Sequence, residues 1–82
     1  MSYYELWDTH NDRLISRHRN GLNAMKARIR HDSRIAAIHG KTAYIPKEIR
    51  KNGKPIDSCE YCELIDEVER IGFNCRPIGG EA

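Results

Sequence analysis

The chain has 82 residues, 39 % of them hydrophobic and 32 % charged, with a formal net charge of +2. That length allows one small domain with a thin core, which excludes a large dry pocket. No apolar run approaches the roughly 18 residues of a membrane span, and the small net charge with recurring apolar positions argues against disorder.

The small net charge hides a segregation. Residues 1–12 carry Glu5, Asp8 and Asp12 and no Lys or Arg. Residues 13–54 carry twelve Lys or Arg against Asp32 and Glu48, and residues 55–82 carry seven acids against Arg70 and Arg76. Such blocks favour an anionic partner for the middle of the chain, or pairing of the middle with the end. The N-terminus lacks a basic and then apolar export signal, and three cysteines leave at least one unpaired, so a cytoplasmic protein with free thiols is expected.

Residues 1–19 read as an amphipathic helix. Ser2 with Glu5 forms a capping-box pattern, and Tyr3, Trp7, His10, Leu14 and His18 fall on one helical stripe. A stripe of this kind is ordinarily core, which makes His10 and His18 part-buried imidazoles bonded to backbone. Asn20-Gly21 ends the segment.

A second helix is expected over 22–39. Leu22, Met25, Ile29 and Ala36 mark one face, while Ala24, Ala27, Ile35 and Ile38 mark nearly the opposite one. The helix is either sandwiched between two partners or broken near 31–33, with Asp32 or Ser33 as a new N-cap. Lys26, Arg30 and Arg34 line up at i, i+4 and i+8, with Arg28 on the far side. Like charges at this spacing oppose the helix by a few tenths of a kcal/mol per pair, so an anion meeting the ridge explains it better than solvent does. Phosphate backbone is the commonest such anion. The competing explanation is a solvated ridge answered by the acidic end of the chain.

Residues 41–57 read as irregular with a short strand before Pro46, which disfavours helix at Ile45. Pro46–Lys51 then suits a helical turn stopped by Asn52-Gly53. Alternatively, Asn52-Gly53 is the two-residue turn of a hairpin. The helical turn is preferred, because an isolated hairpin is marginal and Pro46 and Pro55 each remove a ladder donor.

The clearest element is a helix over 58–71. Asp57 and Glu60 give a D-x-x-E cap, and Tyr61, Leu64, Ile65, Val68 and Ile71 form its stripe. Gly72 and Phe73 suit a Schellman end. Residues 76–82 read as an extended exit and loose tail.

Cys59 and Cys62 lie off that stripe. Their spacing suits two zinc ligands, but Cys75 is a poor third: the helix descends about 15 Å after Cys62 and the chain returns only about 10 Å. His31 and His39 lack the usual ligand spacing, so no cofactor is favoured and zinc at Cys59 and Cys62 is a minor reading. Cys59-Glu-Tyr-Cys62, opening a helix that ends in Ile71-Gly-Phe73 and leads into an extended segment, resembles the active-site helix of glutaredoxins. The resemblance covers about residues 57–78 and implies a thiolate at Cys59 that attacks a disulfide. The strands, cis-proline loop and helix such folds need after this point exceed the residues that remain. Asp57, Glu60 and Glu63 also oppose a thiolate.

No Gly-rich phosphate loop, H-E-x-x-H or G-x-S-x-G occurs, and the adjacent His31-Asp32 alone makes no catalytic site. The chain therefore reads as mainly α, a small bundle of two to three helices with a short extended or hairpin segment before the C-terminal helix. Its first and last helices bury their stripes against each other or around the middle one. The expected function is non-enzymatic binding of nucleic acid or a nucleoprotein machine. Lys26, Arg30 and Arg34 are the primary phosphate contacts, with Arg28, Lys41, Lys47, Arg50 and Lys51 adding to the field and little sequence specificity. The alternative is an inhibitor or adaptor that modulates a larger enzyme through Glu60, Glu63, Asp66 and Glu67. A structural zinc or dithiol module on Cys59 and Cys62 is third.

Overall fold

A computed structural model describes residues 3–40 and 43–73. Ser2, Lys41, Cys75 and the expected exit over 76–82 fall outside them. The described chain runs β1 (Tyr4–Asp8), β2 (Arg13–His18), α1 (Gly21–His39), β3 (Lys47–Lys51), β4 (Lys54–Pro55) and α2 (Ser58–Arg70). The strands form one antiparallel sheet in the order β2-β1-β3-β4. The expected mainly-α bundle is thus corrected to a four-stranded sheet with two helices.

The first correction is at residues 4–18, which form a hairpin and not a helix. The break lies in Thr9–Asp12. The Asp8 carboxylate accepts from the backbone N–H of His10 and Asn11 and from Asn11 Nδ2, each at 2.9 Å. Asp12 then takes a left-handed φ of 53°, so no helix passes through. With the turn closed, Tyr4, Leu6 and Asp8 alternate onto the helix side of the sheet, and Glu5 and Trp7 onto the side no helix covers. Glu5 does not cap a helix. Its carboxylate accepts from Trp7 Nε1 at 2.9 Å and from Arg17 Nη2 at 2.8 Å.

The β1–β2 pairing is irregular at one point. Leu6 pairs with Ser16 but Trp7 pairs with Leu14, so Ile15 is an extra residue on β2. Such a bulge turns both Ile15 and Ser16 towards the helices, leaving Ile15 against the core.

The second correction is the β3–β4 hairpin, where the sequence suggests a helical turn. Asn52 and Gly53 both have positive φ, 51° and 86°, as a two-residue hairpin turn of this hand requires. Tyr3 and Asn52 bond each other through Tyr3 N to Asn52 Oδ1 at 3.0 Å and Asn52 N to Tyr3 O at 2.9 Å. Pro55 sits on the sheet edge, where a missing N–H leaves no ladder bond unmade.

α1 is continuous through 31–33, so the sandwiched alternative holds: it packs on β1, β2 and β3 and also on α2. Asn20 caps it, its side chain accepting from Asn23 N at 2.8 Å. Asn20→Ala is expected to cost about 1 kcal/mol in urea unfolding, because that donor loses its partner. α2 forms as expected. Asp57 accepts from Glu60 N at 2.8 Å. At the other end Phe73 N bonds Val68 O at 3.2 Å and Gly72 N bonds Glu69 O at 3.1 Å, the paired Schellman bonds. Ile71, read as part of the stripe, is exposed.

The two layers meet at Leu6, Ala24, Met25, Ile49 and Val68, with Tyr61, Leu64 and Ile65 of α2 packed around them. α2 reaches the sheet through side chains: the Tyr4 hydroxyl donates to Glu60 Oε2 at 3.1 Å, and Leu64 and Tyr4 close over Gly21.

Candidate functional site

The basic residues singled out from the sequence divide into two groups. Four are answered within the fold. Lys47 is a buried strut, its side chain only 1 % exposed, with Nζ 2.5 Å from Asp32 Oδ1 and bonded to Ile45 O at 2.7 Å. Arg28 lies 3.5 Å from Asp32 and over the Tyr61 ring. Arg50 is on the helix-free face of the sheet, pairing with Glu48 and stacking 4.3 Å above Trp7. Lys51 is 3.9 Å from Glu60 and over the Tyr4 ring.

Lys26, Arg30 and Arg34 differ. No carboxylate of the described residues lies within 4.0 Å of any of them. Lys26 and Arg30 lean over the Phe73 ring at 5.6 and 5.3 Å, and Arg30 and Arg34 are exposed. The expected answer from the acidic helix reaches Lys51 and not this ridge.

Beside the ridge, α1 and the edge strand β2 enclose a cleft of about 270 Å³. Ala27, Arg30, His31 and Arg34 form one wall, and Leu6, Ile15, Ser16 and His18 form the other. The Ser16 hydroxyl and His18 Nε2 are 2.8 Å apart. His31 Nδ1 is buried with no hydrogen-bond partner among the described residues. Burial and the Arg30 guanidinium push the His18 imidazole below its ordinary range. Burial does the same to His31, helped by Lys47 and Arg34 and opposed by Asp32 and Asp8. The arrangement is a small cationic concavity with an apolar floor, able to hold an anion by charge and hydrogen bonds.

A helical reading of 13–18 hides His18 and Ser16 as site residues. Read as a strand, their spacing of two places them on one face, which is the available signal. The sequence offers His31 only as a zinc ligand or half of a His-Asp pair.

These imidazoles give the fold a pH dependence. A histidine whose folded pKa lies below its unfolded value leaves the unfolded chain binding more protons in between, so stability falls as pH drops through that window. Thermal melts from about pH 7.5 to about pH 5.5 are expected to decline, and His31→Gln to flatten the decline. Glu5 and Asp8 act in the same sense but lower. Glu5 is held below the usual carboxylate range chiefly by the Trp7 indole, with Arg17 adding and burial opposing. Asp8 is held down chiefly by Asn11.

The acidic set proposed for a protein partner is divided: Glu60 is tied to Tyr4 and Lys51 and Glu67 to Arg70, while Glu63 and Asp66 are exposed. Cys59 and Cys62 are exposed free thiols. Among the described residues no three His, Cys, Asp or Glu side chains cluster to hold a metal. Among the described residues no helix is long and apolar enough to cross a membrane. No protein-family model, curated protein or solved structure matches the chain.

Proposed function

We propose that this protein binds nucleic acid through its phosphate backbone, without catalysing a reaction, and that the exposed edge of α1 is the contact. One observation carries the reading. Lys26, Arg30 and Arg34 repeat at i, i+4 and i+8 with no carboxylate within 4.0 Å among the described residues, while Arg28, Lys47, Arg50 and Lys51 each have one. Charges that repel one another along a helix and meet no carboxylate among the described residues are stabilised by an external anion, and a backbone supplies evenly repeated ones.

The ridge reads phosphate and not base edges, so affinity should vary little with sequence. The test is fluorescence anisotropy with labelled single-stranded and duplex oligonucleotides at low and raised salt. Binding that weakens steeply with salt supports the reading. Undetectable binding at low salt rejects it.

A further inference from the structure

We propose that the cleft between β2 and α1 is a phosphomonoester site, and that it takes the phosphorylated end of the nucleic acid whose backbone lies on the ridge. The nature of the bound end rests on the function proposed above. The site itself rests on the cleft.

The lining argues for an anion first. Two guanidiniums, two imidazoles and a hydroxyl converge on one concavity, and no Asp or Glu lines it. Arg30 and Arg34 have no carboxylate partner among the described residues, so both forks are open to oxygen ligands, and paired guanidinium bonds match a phosphate's geometry. Leu6, which is fully buried, Ile15 and Ala27 form an apolar floor beneath these groups. His31 lines the cleft with its Nδ1 buried and without a hydrogen-bond partner among the described residues, an unmet polar group beside the cleft. Ser16 Oγ, already bonded to His18 Nε2 at 2.8 Å, keeps an acceptor or donor for a second oxygen.

Size and charge then favour an end over an internal link. A cleft of about 270 Å³ falls just under the roughly 300–1,000 Å³ of sites that enclose a drug-sized ligand. It suits a phosphate with one attached sugar, not a backbone entering and leaving. A phosphomonoester has one covalent tether and carries about −1.5 to −2 near neutral pH, against −1 for an internal diester. The Arg30 and Arg34 guanidiniums match the higher charge, while the two imidazoles, held below their ordinary range, add hydrogen bonds and not charge.

The bulge makes the site possible. With a regular β2, consecutive residues would alternate faces; the extra residue turns Ile15 and Ser16 to the same side, supplying floor and hydroxyl together.

The experiment compares one short oligonucleotide with a 5′-phosphate, a 3′-phosphate or hydroxyls at both ends, alongside inorganic phosphate and ribose 5-phosphate. Binding is read by calorimetry and by the ring C–H shifts of His18 and His31. At least one phosphorylated end should bind about tenfold or more tighter than the hydroxyl form, as loss of charge-assisted bonds implies. Both imidazoles should respond to inorganic phosphate. In His31→Gln and in Ser16→Ala the preference for the phosphorylated end should shrink, while hydroxyl-ended oligonucleotides still bind. Ser16→Ala removes one hydroxyl from a half-buried position, and a melt confirms that each variant is folded.

Equal affinity for all three ends, with the salt-dependent binding intact, overturns the phosphomonoester site and leaves the proposed function standing. Binding of inorganic phosphate and ribose 5-phosphate at the imidazoles, with no affinity for hydroxyl-ended oligonucleotides, supports the site and overturns the backbone reading. No binding of any probe overturns both.

Discussion

Leu6→Ala is expected to unfold most of the protein near physiological temperature. Leu6 is 0 % exposed and sits in β1, an inner strand of the sheet, paired with Ser16 on one side and Ile49 on the other. Its side chain joins Ala24, Met25, Ile49 and Val68 where sheet and α1 meet. A buried leucine cut to alanine loses transfer energy and leaves a cavity, together about 3–5 kcal/mol. A chain of 82 residues holds about 4–12 kcal/mol in all. The loss therefore consumes much or all of the stability, and a melt should drop by about 15–30 °C. Ile38 is the contrast, apolar too but 62 % exposed near the end of α1. Ile38→Ala should stay within about 0.5 kcal/mol of the parent. If the two variants melt together, the two-layer core is wrong.

The contrast between Leu6 and Ile38 also marks how far the sequence could be read. α2 is legible because its signals are local: Asp57, the stripe and Gly72-Phe73 lie within 17 consecutive residues, and the cap and the Schellman end each make the bonds expected of them. The ridge on α1 was legible for the same reason. Residues 4–18 mislead because Tyr3, Trp7, His10, Leu14 and His18 match a helical period by coincidence, while the sign of a turn is confined to Thr9–Asp12. That turn gains its strength from the buried Asp8 carboxylate, and Asp8 is buried only once β1 lies between β2 and β3.

Asn52-Gly53 carries the same lesson. An isolated hairpin at this position is too weak to stand alone. Pairing β3 with β1 makes it the edge of a four-stranded sheet, and that pairing spans more than 40 residues of chain. Lys47 shows the limit for the site. Nothing near it in sequence says that its ammonium meets Asp32, and the cleft needs a strand, a bulge and a helix brought together from separate segments. The ridge could be read one residue at a time; the cleft beside it could not.

That ridge supports the second large effect, a Lys26/Arg30/Arg34→Ala variant that keeps its fold and loses its binding. Each phosphate contact removed should lower the slope of log affinity against log salt by about 0.9, so the three together should lower it by about 2–3. Near 0.05 M salt a slope of that size corresponds to about tenfold per contact, or about a thousandfold in all. Stability should scarcely move. Removing the ridge relieves two like-charge pairs and gives up two cation–ring contacts to Phe73, effects that offset within about 1 kcal/mol. Arg50→Ala is the matched control, because it also deletes a positive charge but on the helix-free face of the sheet, where Glu48 already answers it. Its salt slope should equal the parent's. A triple variant that binds like the parent, or an Arg50 variant that loses as much, would place the nucleic acid elsewhere, because long-range charge alone falls off within about 10 Å at 0.1 M salt and only direct contact separates the two faces.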